Sequence, residues 1–98
     1  MNTDHTLHGV QFQWNSDKED SNWRKHSITF VSACEVFFDP FLYAVEADEV
    51  DGELRGTVIG LTTDWQMFYV VYTFREDIIR LISARSVTRT ERLTYENQ

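Results

Sequence analysis

Residues Gln66–Arg85 decide the fold: Gln-Met-Phe-Tyr-Val-Val-Tyr-Thr-Phe, then Arg75-Glu76-Asp77, then Ile-Ile-Arg-Leu-Ile-Ser-Ala-Arg. In the first half, odd and even positions are apolar alike. Met67, Tyr69 and Val71 point one way along an extended chain, and Phe68, Val70 and Tyr72 the other. A strand with that content is buried on both faces and belongs in the middle of its sheet. The second half mixes Ile78, Ile79, Leu81 and Ile82 with Arg80, Ser83 and Arg85, so it reads as the paired strand carrying basic side chains out of the core. The charged triplet between them is expected to be the hairpin connection, without the Asn-Gly or Gly-containing turn that usually marks one.

The remaining chain is consistent with one small domain. It has 98 residues, 42% of them hydrophobic and 14% aromatic, which is globular and not disordered composition. A single cysteine, Cys34, excludes an internal disulfide framework and a cysteine zinc cluster. No apolar run suggests a signal peptide or a membrane span, so a cytoplasmic protein without membrane contact is expected. The net charge of −7 argues against general affinity for nucleic acid. It is unevenly spread: residues 75–98 carry five arginines against four acids, whereas residues 1–74 carry four basic residues against twelve acids.

Residues 1–9 are polar and weakly patterned, and are expected to be a flexible tail ahead of a single domain over 10–98. His5 and His8 lie there without a third ligand nearby, so no metal site is expected. Val10–Trp14 alternates apolar and polar as a short strand. Ser16 with Glu19 resembles a capping box opening a helix to about Lys25, with Trp23 toward the core and Lys18, Asn22 and His26 as a polar stripe. Thr29 is a plausible N-cap for a second helix, whose apolar face is Phe30, Ala33, Cys34 and Phe37 and which ends at Asp39-Pro40. Cys34 reads as a small core hydrophobe. A strand is expected over Phe41–Val45, a solvated acidic loop over Glu46–Glu53, and a strand over Thr57–Thr63 with Gly60 at a bulge or close approach. Thr88 and Glu91 form a capping box for a short last helix. The class is therefore α+β: an antiparallel sheet, two helices from the N-terminal half packed on one face, and a short C-terminal helix.

Several fragments in one order resemble the BrnT toxins. In the first half these are Phe12-x-Trp14, Lys18, Asn22, Lys25-His26, Phe30, Ala33 and Val36-Phe37-Phe38-Asp39. In the second half they are Arg55, Ile59-Gly60, Tyr72-Thr73, Arg75, Arg80-Leu-Ile-Ser-Ala-Arg85, Glu91-Arg92 and Tyr95. The resemblance spans nearly all of residues 10–96. It implies a RelE-like toxin of a type II toxin–antitoxin pair that cuts RNA without a metal or other cofactor. The implied neutralising partner is a BrnA-type ribbon-helix-helix antitoxin, so that DNA is reached only through the antitoxin. A homodimer and a heterotetramer with the antitoxin both stay open. Ser27 replaces the family's glycine after Lys-His, and Asn15 stands where the family has aspartate.

Metal-free RNA cleavage needs a proton acceptor for the 2′-hydroxyl, cations for the developing phosphorane charge and an acid for the leaving oxygen. His26, Arg55, Arg85 and Lys25 are the catalytic candidates. Arg80, Tyr72, Thr73 and Tyr95 are candidates for holding the substrate. Each has a structural alternative. His26 suits the negative end of a helix dipole. Arg55 has Glu53 as an ion-pair partner, and Arg85 has Glu91. Arg80 fits a solvated strand face, and Tyr72 fits the core. Between the two arginines of the last strand, Arg85 is preferred for function, because it closes the strand where loops meet. The alternative function is an inactive relative kept as a protein-binding module of its operon.

Overall fold

The computed structural model describes residues 1–98. In chain order the elements are β1 (Asn2–Leu7), β2 (Val10–Asn15), α1 (Ser16–His26), α2 (Phe30–Cys34), a 3-10 turn (Glu35–Phe38), β3 (Tyr43–Val50), β4 (Glu53–Leu61), β5 (Met67–Arg75), β6 (Ile78–Ser86) and α3 (Arg89–Glu96). The strands form one sheet in the order β1-β2-β6-β5-β4-β3. All neighbours are antiparallel except β2 and β6, which run parallel over Gln11–Gln13 and Ile78–Arg80. The helices carry the chain away from β2, and the β3–β6 meander returns so that β6 enters beside β2 in the same direction. No helix is long and apolar enough to cross a membrane.

β5 is a central strand, flanked by β4 and β6. The connection at Glu76-Asp77 is a two-residue turn with φ of 55° and 64°, the left-handed geometry that suits strand twist. β6 is not regular. Tyr72 faces Leu81 and Val71 faces Ser83, so Ile82 is an extra residue in a β-bulge. Arg80 and Arg85 are five residues apart and would point to opposite faces of a regular strand. The bulge restores them to one face, opposite Thr73 and Tyr69. It also sends both Leu81 and Ala84 to the other face, where each is fully buried.

That other face holds the main core. Phe12, Trp14, Val58, Phe68, Val70, Leu81 and Ala84 from the sheet pack with Ile28, Phe30, Ala33, Cys34 and Val36. Gly60 sits in a straight part of β4 because the chain after α2 approaches closely there. An added Cβ would lie 2.9 Å from Val36 Cβ. Cys34 is a buried free thiol whose pKa burial pushes up to about 12, so it carries no thiolate near neutrality.

Several expectations are corrected. Residues 2–7 are a strand in full register with β2, and Met1 O accepts from Ser16 N at 2.9 Å. The acidic stretch is an extension of β3 turning into β4 at Asp51-Gly52, with φ of 52° and 78°. Alternating acids on an edge strand look like a loop by composition alone. Asn15, not Ser16, caps α1, accepting from Asp17 N at 2.8 Å. The buried residue of α1 is Asn22, while Trp23 is 53% exposed. Asn22 Oδ1 accepts from Ala84 N at 3.0 Å and its Nδ2 donates to Ile28 O at 3.1 Å. These bonds satisfy backbone groups that neither helix nor ladder reaches, so an amide outcompetes an indole for the site.

Asn22→Ala strands two buried backbone groups, at about 1–3 kcal/mol each. Urea unfolding is expected to show a loss of about 2–5 kcal/mol with an unchanged m-value. A loss under about 1 kcal/mol would show that the clamp is not needed.

Candidate functional site

The face opposite the main core is divided. At one end α3 covers it: Tyr95 packs with Ile59 and Met67, flanked by Tyr43, Leu61 and Tyr69. Towards the Glu76-Asp77 turn the face is open. There the register places one residue from each strand in a line, Asp4, Gln13, Arg80, Thr73, Arg55 and Asp48. Thr73 at the centre is only 6% exposed, and its Oγ1 has no hydrogen-bond partner. Trp14 Nε1, on the core face, is the other buried polar atom without a partner.

The guanidiniums on this face differ in what they touch. Arg80 donates to two neutral oxygens, Gln13 Oε1 at 2.6 Å and Asn2 Oδ1 at 3.1 Å. Gln13 in turn donates through Nε2 to Asp4 Oδ1 at 3.0 Å. No carboxylate pairs with Arg80, Arg55 or Arg75, since the one ion pair of the molecule is Arg85–Glu91. The expected Glu53 partner of Arg55 is therefore not engaged. A hollow of about 180 Å³ is lined by Arg80, Arg75, Thr73, Glu53 and Gln13, among others, and an adjoining one of about 130 Å³ by Arg55, Thr73 and Glu53. Thr73 and Glu53 line both.

Arg85 is committed elsewhere. It meets Glu91 through two bonds of 2.8 Å and lies 3.9 Å over the Tyr69 ring. Glu91 also accepts from Thr88 N at 2.8 Å and so closes the capping box of α3. The bidentate bond raises the Arg85 pKa further and holds the Glu91 carboxyl below its usual range.

Of the residues singled out from sequence, the structure brings together Arg55, Thr73 and Arg80, with Arg85 further along the same face. Tyr72 is on the helix-covered face, edge-on to Phe37 at 5.2 Å. Tyr95 is a strut: its hydroxyl donates to Asp39 Oδ2, which also accepts from Leu61 N at 2.8 Å. Burial, then Asp39, pushes its pKa up, away from proton transfer near neutrality. Lys25 and His26 are exposed in the last turn of α1, with no hydrogen bond or ion pair to the arginines. Ser27 closes that helix at φ 55°, a left-handed position that glycine adopts at lower cost. Sequence reasoning passed over Gln13, Glu53 and Arg75 as site residues. The available signals were strand alternation, which puts Arg75 and Thr73 on one face, and the Asp51-Gly52 turn, which fixes Glu53 beside them.

A family model described as "Ribonuclease toxin, BrnT, of type II toxin-antitoxin system" matches residues 14–91. β1 and most of β2 lie outside that match. Among solved structures, the chain is similar to the Brucella abortus ribonuclease toxin BrnT, at 22% identity and a TM-score of 0.55, over 78% of this chain and 94% of that one. At that identity the likeness shows a shared α+β fold. Among curated proteins none matches.

Glu91 stays ionised to lower pH in the folded chain than in the unfolded one, so its contribution is complete above about pH 4.5 and is lost as pH falls through the depressed folded value. Glu91→Gln is expected to lower stability at pH 7 by about 1 kcal/mol, the scale of a cap or a partly exposed ion pair. Chemical denaturation at several pH values checks this: the gap from wild type should narrow in acid. A gap that is constant with pH contradicts it.

Proposed function

This chain belongs to the BrnT family of ribonuclease toxins of type II toxin–antitoxin systems, and from that premise we propose that it cuts single-stranded RNA on the open half of its sheet. The observation carrying this reading is the pair of guanidiniums, Arg80 and Arg55, in register on either side of the unpartnered Thr73 hydroxyl. Guanidinium suits phosphate oxygens through paired N–H donors, and neither side chain is neutralised by a carboxylate. Thr73 lies between the two guanidiniums with its Oγ1 closed off from solvent, and Arg75 adds charge at the mouth of the hollow.

Glu53 is the carboxylate common to both hollows and acts as the base. It takes the proton of the ribose 2′-hydroxyl as that oxygen bonds to the adjacent phosphorus. The bond from phosphorus to the 5′ oxygen breaks, and that oxygen takes up a proton from water. The products are a 2′,3′-cyclic phosphate and a 5′-hydroxyl, with no metal consumed or needed. Arg80 and Arg55 stabilise the charge on the pentacoordinate phosphorus, which is often the largest catalytic term. Arg85 and Tyr95 support the α3 end of the face. Lys25, His26 and Tyr72 are left out of the reacting group.

The remaining features follow the family resemblance. The fold is read as RelE-like, the partner as a BrnA-type antitoxin that blocks the toxin and brings it to operator DNA, and the compartment as the cytoplasm. A net charge of −7 favours one other reading, an inactive family member retained for antitoxin binding.

Purified protein in EDTA, mixed with single-stranded RNA, separates the two. Cleavage with cyclic-phosphate ends is expected. Arg80→Ala is expected to slow it about 10²–10³-fold, on the scale of losing one preorganised donor. His26→Ala is expected to stay near wild type. Intact RNA with wild-type protein, or an undiminished rate in Arg80→Ala, would overturn the reading.

A further inference from the structure

We infer that Asn2 and Gln13 are positioning residues for Arg80, and that β1 serves to present that guanidinium at full charge to a phosphodiester. The inference rests on the ribonuclease reading for its ligand, and on the geometry of β1, β2 and β6 for its mechanism. Arg80 NH1 donates to Gln13 Oε1 at 2.6 Å and NH2 to Asn2 Oδ1 at 3.1 Å. A guanidinium has five N–H donors, so these two bonds fix its plane and leave the others for an oxyanion.

The nature of the acceptors matters more than their number. A carboxylate at either place would hold Arg80 equally well and cancel its charge, which is what Glu91 does to Arg85. An amide oxygen holds the guanidinium and leaves the charge in place. Gln13 is itself oriented, because its Nε2 donates to Asp4 Oδ1 at 3.0 Å and so turns Oε1 toward Arg80. Asp4 acts from one residue further out and makes no ion pair with the arginine.

The backbone arrangement supports this role. Asp4 pairs with Gln13, and Gln13 with Arg80, across adjacent strands. Asn2 is two residues from Asp4 on the same strand and so shares its face. β1 pairs with β2 from Asn2 to Leu7, which places Asn2 beside Arg80 without a flexible linker. Asn2, Asp4 and Gln13 all precede residue 14, where the family match begins.

The test compares Gln13→Glu and Asn2→Asp with Gln13→Ala and Asn2→Ala. The acidic variants keep the length and the acceptor but neutralise the guanidinium; the alanine variants release it. A merely structural role would tolerate the acidic variants better than alanine. Positioning with preserved charge requires the reverse order. Binding is measured with a fluorescent single-stranded oligonucleotide fully substituted with 2′-O-methyl ribose, which cannot be cleaved. Gln13→Glu is expected to weaken it about 10–30-fold and Gln13→Ala about three- to fivefold; the melting temperature is read on Asn2→Asp, expected at or above wild type, because Gln13→Glu also sets a second carboxylate against Asp4. The slope of log affinity against log salt is expected to fall by about 0.7 in Gln13→Glu, one phosphate contact on a single strand, as in Arg80→Ala. Acidic variants that bind as well as wild type, or an unchanged salt slope, overturn the inference even if RNA is cleaved. Charge-sensitive binding with no cleavage of ordinary RNA upholds the inference and overturns the ribonuclease reading. Wild-type protein that does not bind the oligonucleotide overturns the inference, and the ribonuclease reading with it if ordinary RNA also stays intact.

Discussion

One extra residue in β6 governs what this molecule presents to solvent. Ile82 breaks the period-two alternation between Leu81 and Ser83, so that Ile79, Leu81 and Ala84 share one face and Arg80 and Arg85 the other. Without it, burying Leu81 would expose Ala84 and drive Arg85 into the core. The requirement to bury Leu81 and Ala84 together under the helices therefore also aligns Arg80 and Arg85. The candidate face is a consequence of how the opposite face is packed.

Electrostatics divides that face. Where α3 lies, Arg85 is bound by Glu91 and stacked on Tyr69, so its charge stabilises the fold. Beyond the reach of α3, Arg80 is held by neutral oxygens and Arg55 by none, and the Thr73 hydroxyl between them lacks a partner. A chain at −7 can still carry a local cationic site, because screening confines each charge to its neighbourhood of about 8 Å at physiological salt. Asp48 stands opposite Arg55, and Asp51, Glu53 and Glu76 line the hollows, without any of them pairing with Arg55, Arg75 or Arg80.

Much of the fold was legible. The two-sided apolar run marked β5 as central, Thr29 and Thr88 marked helix starts by their capping chemistry, and Gly60 marked a close approach. What escaped did so for physical reasons. Edge strands have one solvated face and one free edge, so Asn2–Leu7 and Glu46–Val50 look like loop by composition. Asn22 is buried because backbone groups of Ala84 and Ile28 need it, a tertiary demand that helical periodicity does not encode. The bulge left no mark that distinguishes Ile82 from its neighbours. For the candidate site, the residue types were readable but their ranking was not. Arg85, at the strand end, is consumed by a capping carboxylate, and Arg80, apparently an ordinary solvated residue, is the one held free. His26 and Lys25 show no contact with either.

The most direct test is to map an RNA oligonucleotide onto the protein by heteronuclear NMR. Isotope-labelled protein is titrated with 2′-O-methyl single-stranded RNA while backbone amides and arginine Nε–H signals are followed. The expected result is that shifts concentrate on Glu53–Arg55, Thr73–Arg75 and the Arg80 side chain, with Lys25–Ser27 at the end of α1 unaffected. Shifts clustered at Lys25 and His26, with Thr73 and Arg80 silent, would contradict the placement of function on the open half of the sheet.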